Sequence, residues 1–226
     1  PKTGNVSSGY REAGYFPEAV INFLALLGWH AGDDKELYTM QELIHDFSLE
    51  RVSKAGARFD YEKGKWFNQQ YLKMKPDDEL ADLFQPILLE HGHIEDSETV
   101  AHVVGLVKDR VKFVSELWNE CCFFFEAPTE YDEKSLRKRW KEDSPRHMRE
   151  LIDLLRTFDD WRGEVIEPLV MDWINAHEYG VGIVMNAMRI CLVGAARGPH
   201  IFALTDVIGR EETIRRIQAA INTLDK

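Results

Sequence analysis

The sequence predicts an all-α fold of short helices, and three observations support this. Apolar side chains recur every three or four residues through several stretches, which is the period of an amphipathic helix. Glycine and proline separate these stretches at positions where helices begin or end. Alternation of apolar and polar residues, which is typical of half-buried strands, is scarce. With 226 residues, 44% of them hydrophobic, the chain is long enough for one large domain or two to three small ones.

The first two helices are predicted from local signals. Pro17 suits a first helical turn, the run EAVINFLALL that follows is apolar nearly all round, and Gly28 ends it. Such a helix is expected to be buried. Thr39 and Glu42 form a T-x-x-E capping box before ELIHDF, which predicts the start of a second helix.

Three further helical segments complete the first half of the chain. Asp60 is placed to cap the helix that bears Lys63–Lys73, although Gly64 weakens its start. An acidic helix is expected around 77–91. From 97 to about 125 the apolar residues keep a three- and four-residue spacing over many turns, which favours one long helix despite the β-branched side chains.

The stretch 127–129, Ala-Pro-Thr, interrupts the helical pattern and is the best candidate for a domain boundary. Beyond it, Ser-Pro at 144–145 opens an amphipathic helix through Phe158. Four more helices are predicted at 165–177, 181–193, 201–208 and 211–224, with turns at Gly180, Gly194, Gly198–Pro199 and Gly209.

Charge is distributed unevenly along the chain. The formal net charge of −11 argues at first against a nucleic-acid ligand. However, 76–101 contains eight acidic residues and no lysine or arginine, whereas 45–75 has seven cations against four acids, and 134–149 is again basic. Each run is also explained by a solvated helix face. An acidic body with local basic stripes favours specific docking over indiscriminate binding.

Catalytic and metal-binding motifs are not apparent. No glycine-rich phosphate loop is present. Three histidines, His91, His93 and His102, lack acidic or cysteine partners at ligand spacing and are interpreted as turn and surface residues. Cys121 and Cys122 lie in an apolar stretch, which raises a thiol pKa and makes a nucleophile improbable. By itself the chain is therefore expected not to be a catalyst.

Targeting signals are also missing from the sequence. The polar start PKTGNVSSGYRE lacks the plan of a signal peptide and has the character of a linker cut out of a longer protein. No apolar run approaches the roughly 20 residues that span a bilayer. Three cysteines, two of them adjacent, do not form a disulfide framework. A cytoplasmic location without membrane contact is predicted.

The most informative stretch is 47–72, FSLERVSKAGARFDYEKGKWFNQQYL. A basic turn with small residues precedes a helix that bears cations, aromatics and amides, namely Lys63, Lys65, Trp66, Asn68 and Tyr71. Cations neutralise phosphates, and flat aromatics and amides stack on or bond to bases. Together with 14–29, GYFPEAVINFLALLGW, this stretch closely resembles the bacterial glutamyl-tRNA synthetase family.

The resemblance implies a particular place in a larger enzyme. Class I synthetases of this family activate the amino acid in an N-terminal Rossmann-like domain with HIGH-type and KMSKS-type motifs, and neither motif is present here. The chain therefore resembles the C-terminal part that follows the KMSKS loop. The whole enzyme would join glutamate to its tRNA using ATP and magnesium, and this fragment would contain no catalytic site and no cofactor.

The family also implies a division into three parts. Residues 1–75 correspond to a tRNA stem-contact region, 76–131 to a first helical anticodon-binding bundle and 132–226 to a second, C-terminal bundle. The implied partner is tRNA-Glu, contacted at its stem and anticodon loop, with no DNA or membrane partner. Members of the family are usually monomers, so the resemblance implies a monomer.

Individual residues carry over onto the family motifs. In KGKW, Lys63 and Trp66 match a lysine and a tryptophan directed at the anticodon-side arm. Arg110, in LVKDRVKFV, matches an arginine that in some members recognises the third anticodon base and excludes the glutamine anticodon. A guanidinium has the planar bidentate donors that such recognition requires. The alternatives are a solvated lysine, a core tryptophan and an arginine in a surface salt bridge.

Near the C-terminus, MRICLVG followed by GPHIF resembles the family pattern LR-x-x-LTG … TPGLF. Arg189, Pro199 and Ile201 match its arginine, proline and leucine, and the loop would present backbone groups and an apolar edge to unstacked bases. Gly198 stands where the family has threonine and His200 where it has glycine, which puts one base contact in doubt. Two arginines without a clear family counterpart are further candidates for phosphate contacts, Arg197 and Arg210.

Two rival functions remain open at this stage. A non-catalytic helical scaffold would bind a protein through the apolar and aromatic helix over 114–125, where large aromatics favour an interface hot spot. Specificity of the glutaminyl type is disfavoured, because that related family usually ends in β-barrel domains and strand patterns are scarce here.

Overall fold

The computed structural model describes residues 9–54, 56 and 58–225. Within them the all-α prediction is confirmed: the regular structure is helical, with no β-strand and one isolated bridge between Trp29 and Val52. No described helix is long and apolar enough to cross a membrane. The α-helices are α1 Pro17–Leu26, α2 Met40–Asp46, α3 Tyr61–Met74, α4 Asp77–Glu90, α5 Ser97–Val107, α6 Leu117–Phe125, α7 Glu133–Arg139, α8 Ser144–Leu155, α9 Gly163–Ala176, α10 Val181–Val193 and α11 Ile201–Leu224.

The chain divides into two compact units between Trp118 and Asn119, a point inside α6. In the first unit α1 packs against α3, and α4 against α5. Gly64, which weakens the start of α3, faces the Phe23 ring of α1, and a Cβ atom there would lie 3.5 Å from that ring, an ordinary van der Waals contact. The three-part division into a stem-contact region and two bundles describes function and stays a prediction.

The predicted caps of α2 and α3 are confirmed. Thr39 Oγ1 accepts from the backbone N–H of Glu42 at 3.2 Å, and Glu42 Oε2 accepts from the backbone N–H of Thr39 at 2.8 Å. Asp60 accepts from the backbone N–H groups of Glu62 and Lys63. These bonds satisfy amides that the first turn of a helix leaves without a partner.

The prediction of one helix over 97–125 is wrong. α5 ends at Val107, two 3-10 turns follow at Lys108–Arg110 and Val114–Glu116, and α6 begins at Leu117. Two side chains stabilise the break. Asn68 Nδ2 donates to the Lys112 carbonyl at 2.6 Å, and the Glu116 carboxylate accepts from the Lys112 backbone N–H at 2.7 Å.

In the second unit, two helices differ from the sequence prediction and one predicted turn is confirmed. α7 was not predicted; Asp132 caps it by accepting from the backbone N–H of Ser135 at 2.7 Å. α8 ends at Leu155 rather than Phe158. The turn expected at Gly209 is confirmed, because its backbone (φ 79°, ψ 171°) interrupts α11. α11 packs against α8, α9 and α10.

The apolar helix proposed for a protein-binding scaffold is largely buried. Leu117 and Cys121 have no exposed surface, and Phe123 and Phe124 are 3% and 6% exposed. A side chain that is already covered does not supply a hot spot for a partner. The scaffold alternative therefore loses the surface on which it depended.

Candidate nucleic-acid interface

Lys63 and Trp66 lie on α3 in different environments. Lys63 is exposed and its Nζ pairs with Glu36 Oε1 at 2.6 Å, with both side chains 45% exposed. Trp66 is half-buried and meets the Phe67 ring edge to face, with the centroids 5.0 Å apart. The lysine charge is accessible to a ligand, whereas the tryptophan is partly a packing residue.

Asn68 and Tyr71, which the sequence offered as base contacts, are structural residues. Asn68 is fully buried; its Oδ1 accepts from the Phe16 backbone N–H at 2.8 Å, opposite the bond from its Nδ2 to Lys112. Tyr71 is 8% exposed, and burial raises its pKa to about 12. Both side chains hold segments of the first unit together and are withdrawn from solvent.

The basic turn before α3 is described in part, since Ala55 and Ala57 lie outside the described residues. Arg51 donates from Nη1 to the carbonyl of Ala31, and the backbone N–H of Ser53 donates to the Gly28 carbonyl at 2.7 Å. The turn is thus attached to the loop that follows α1.

Arg110 ends the 3-10 turn Lys108–Arg110 and is exposed. Within the part of the chain that the structure describes, its guanidinium forms no hydrogen bond or ion pair. The cations around it are all paired with carboxylates: Lys108 with Asp77 at 2.7 Å, Lys112 with Glu62 at 3.5 Å and Lys73 with Asp109 at 3.9 Å. Arg110 is exposed, and among the described residues it does not form the surface salt bridge considered as its alternative role.

Arg189 holds the loop that follows α10. Its Nη1 donates to the Pro199 carbonyl at 2.7 Å and to the Arg197 carbonyl at 3.2 Å. The side chains of Pro199 and Ile201 are buried. Arg189 and the two buried apolar side chains therefore fix the conformation of the loop. The exposed surface of the loop is formed by its other residues.

The two departures from the family pattern have structural counterparts in this loop. Gly198 has φ +105°, a left-handed conformation that a β-branched threonine rarely adopts, and a Cβ atom there would lie 3.1 Å from Phe123 Cζ. His200 is exposed, and its Nε2 lies 3.3 Å from Glu167 Oε1. The loss of the threonine hydroxyl therefore accompanies a backbone conformation that suits glycine.

Arg197 and Arg210 are each bound to the protein itself. Arg197 donates to the carbonyl of Asn119 and lies 3.6 Å from Glu120 Oε1. Arg210 donates to the carbonyl of Phe158, and its guanidinium lies 5.5 Å from the centroid of the Trp161 ring. Their remaining donors are the ones available for phosphate.

A cavity of about 580 Å³ lies where α7 meets the end of α10. Ser135 Oγ accepts from the Ala196 backbone N–H at 3.0 Å, and the Asp132 backbone N–H donates to the Gly194 carbonyl at 2.8 Å. These bonds attach α7 to the loop after α10. The lining residues are Glu130, Tyr131, Asp132, Ser135, Val193, Gly194, Ala195, Ala196 and Arg197.

Sequence reasoning missed an ion pair between a buried arginine and a partly exposed glutamate that supports this loop. Arg216 is 3% exposed; it pairs with Glu212 at 2.7 Å and donates from Nη1 to the carbonyls of Phe123 and Leu192. The pair joins the end of α6 and the end of α10 to α11. Its spacing, i to i+4 on a helix, was the available signal.

The Glu212 pair makes stability depend on pH. Hydrogen bonds from Arg215 and then Arg216 lower the pKa of Glu212 from 4.5 to about 2. A carboxyl with a lowered folded-state pKa stabilises the fold above its unfolded pKa and loses that contribution as pH falls toward the folded value. We therefore expect Glu212→Gln to destabilise the protein at pH 6, and the difference from wild type to shrink between pH 4.5 and 2. Urea unfolding across this range measures it; a constant difference would contradict the assignment.

The cysteines match the expectation of unreactive thiols. Cys121 and Cys191 are fully buried, and burial raises the pKa of both thiols well above the usual range. Burial also raises the pKa of the Cys122 thiol.

Among the described histidines, His91 stacks on Trp118 with ring centroids 3.9 Å apart.

Two family models match the chain. A model described as "Anticodon binding domain" covers residues 79–221. A second, described as "tRNA synthetases class I (E and Q), catalytic domain", covers residues 2–66. The first contains Arg110 and all the candidate residues of the second unit, and the second contains Lys63 and Trp66.

Known proteins similar to the chain include glutamate–tRNA ligases. Those of Phocaeicola vulgatus and Porphyromonas gingivalis are 58% and 54% identical over 224 residues, which is 99% of this chain and 44% of each relative. A solved glutamate tRNA ligase from Elizabethkingia meningosepticum, in complex with its amino acid, has a TM-score of 0.92 at 43% identity, covering 99% of this chain and 44% of that one. The chain thus spans less than half the length of these relatives.

Proposed function

The chain belongs to the glutamate–tRNA ligase family, and from that premise we propose that it forms the tRNA-recognising part of such a ligase. The whole enzyme would attach glutamate to tRNA-Glu using ATP and magnesium, in the cytoplasm and as a monomer. The part described here holds no catalytic residue in this proposal. Its task is to bind the tRNA and check the anticodon.

Three regions share that task in the proposal. Residues 1–75 contact the stem, 76–131 form the first anticodon-binding bundle and 132–226 form the second. Lys63 contributes a charge to the stem contact, and Trp66 supports it by packing on Phe67. In the second bundle Arg189 acts through the loop that it holds, which Pro199 and Ile201 anchor from beneath. Phosphate contacts are assigned to Arg197 and Arg210.

The observation that supports anticodon recognition most directly is the state of Arg110. It is an exposed arginine without a protein partner in the described structure, surrounded by cations that all have one. An arginine held in a salt bridge must give up that bond before it can recognise a base. Arg110 has no such cost, and its planar donors suit bidentate recognition of a base edge, which contributes about 1–3 kcal/mol of discrimination.

Substitution of Arg110 tests this proposal. We expect the wild-type chain to bind tRNA-Glu more tightly than the same tRNA with a swapped third anticodon base. In Arg110→Gln this preference is expected to fall by about tenfold or more, because one bidentate contact accounts for about 1–3 kcal/mol. Fluorescence anisotropy with both tRNAs at two salt concentrations measures the preference.

Lys73→Gln is the matched control, since it removes one positive charge close to Arg110. Lys73 pairs with Asp109, the residue before Arg110. The control is expected to weaken both tRNAs slightly and to leave the preference intact. If Arg110→Gln keeps the wild-type preference, the assignment of Arg110 is wrong; if the wild type binds without regard to the anticodon, only stem contact remains.

A further inference from the structure

The helix α7 presents a stripe of positive charge. The segment 133–141, EKSLRKRWK, contains five cations and a single carboxylate in a chain of net charge −11. Lys134 and Lys138 lie four residues apart on α7, so they project from one side of the helix. Lys141 follows in the chain, two residues after the helix ends at Arg139. All three are exposed.

The carboxylates near this stripe are engaged elsewhere. Glu133 pairs with Arg137 at 2.9 Å, the Asp132 carboxylate caps α7 at the Ser135 backbone N–H, and Asp143 pairs with Arg146 at 3.3 Å. In the described residues the ammonium groups of the three lysines have no ion pair or hydrogen bond. Glu142, next to Lys141, and Glu130, two residues before Asp132, are the other acids in this stretch of the sequence. The Ser135 hydrogen bonds lower the pKa of the Asp132 carboxyl, and the Lys134 charge adds to them, so this charge also acts on Asp132. Three exposed lysines that form no ion pair in the described residues are nevertheless suited to an anionic ligand.

The stripe is also held close to the loop after α10. Ser135, adjacent to Lys134 but buried, accepts from the Ala196 backbone N–H, so the inner side of α7 rests on that loop. An α-helix with its side chains is about 10–12 Å across. A strand bound at the loop would therefore pass within one helix diameter of the lysines.

We propose that Lys134, Lys138 and Lys141 bind the phosphate backbone of the tRNA beside its anticodon loop. This rests on the proposed function, to which it adds a second, sequence-independent contact. Ammonium groups bind phosphate as point charges and do not recognise base edges. The stripe thus positions the RNA, and the choice of base is made at Arg110.

The test compares two triple variants of the whole chain. One is Lys134→Gln with Lys138→Gln and Lys141→Gln. The control is Arg149→Gln with Arg156→Gln and Arg162→Gln, which removes the same charge from the same unit at arginines already paired with Asp225, Asp153 and Asp160. Binding is measured over a salt series with tRNA-Glu and with the tRNA that carries a swapped third anticodon base. Circular dichroism verifies that both variants are folded.

Loss of the stripe is expected to weaken binding of both tRNAs by the same factor, about tenfold, and to reduce the slope of log affinity against log salt by about two. The control is expected to change affinity less than about twofold, because paired arginines neutralise little phosphate. If the stripe variant binds like the control, the stripe is not a phosphate site while the proposed function stands. A loss confined to the native anticodon would also overturn it. Failure of the wild type to bind either tRNA would overturn the proposed function and the stripe together.

Discussion

Arg216→Ala is expected to lower the free energy of unfolding of the second unit by about 2–6 kcal/mol, since each buried polar group left without a partner costs about 1–3 kcal/mol and two are created. The substitution leaves two buried carbonyls, those of Phe123 and Leu192, without their donor, and it deprives Glu212 of one partner. Urea denaturation of the whole chain measures the loss, and hydrogen exchange of the α11 amides identifies the transition of this unit.

Arg215→Ala is the control, because Arg215 pairs with the same Glu212 at 2.6 Å but is 60% exposed. An exposed ion pair contributes about 0–1 kcal/mol, so the control is expected to unfold nearly like wild type. Comparable losses in the two variants would mean that the charge of Glu212, rather than the buried carbonyls, determines the stability here.

Gly194→Ala is expected to destabilise the second unit by about 3 kcal/mol, from left-handed backbone strain and overpacking. Gly194 has φ +79° at the end of α10, and a Cβ atom there would lie 2.6 Å from the Glu130 carbonyl oxygen and 2.9 Å from Pro128 Cβ. The nearest obstacle is backbone, which cannot rotate away. Thermal and urea unfolding measure the effect.

Gly92→Ala separates the two causes. Gly92 follows α4 with φ +84°, and a Cβ atom there would meet nothing within 4 Å. Only the backbone strain applies, so a loss of about 1–2 kcal/mol is expected. Equal losses at Gly92 and Gly194 would show that the contact with Glu130 is relieved by a small shift of the loop.

Features determined by neighbouring residues were predictable. The Thr39 and Glu42 capping box, the Asp60 cap and the turn at Gly209 each depend on bonds or backbone freedom within a few positions. The helix boundaries of α1, α4 and α10 follow from the same local rules. Such signals are present in the sequence itself because the interacting atoms are near in the chain.

Features determined by residues distant in the sequence were not predictable. The apolar period continues through 108–116, yet the helix is interrupted there, and one bond that stabilises the break comes from Asn68, 44 positions away, to the carbonyl of Lys112. The sequence did not indicate α7 because its residues are mostly charged. The inner side of this helix is defined by the hydrogen bond from the Ala196 backbone N–H to Ser135 Oγ, 61 positions away. The residue pattern within either segment gives no indication of these distant partners.

In the candidate site, too, residue type was predictable from the sequence and packing was not. Residue type indicated that Arg110 suits base recognition. Only the structure shows that the neighbouring lysines are paired with carboxylates, whereas Arg110 forms no ion pair with any described residue. Asn68 and Tyr71 have the chemistry of base contacts and are nevertheless buried. Composition identifies what a side chain is able to bind, whereas packing decides whether it is accessible.

Three arginines of the second unit already hold backbone carbonyls: Arg189 those of Pro199 and Arg197, Arg197 that of Asn119, and Arg210 that of Phe158. Contact between their bonded donors and an RNA exchanges one partner for another, so the net gain in affinity is small. The exchange also takes time after the first collision. If a ligand recruits these bonded donors in addition to the remaining ones, association is expected to proceed in two steps, a fast encounter followed by a rearrangement whose rate does not depend on ligand concentration.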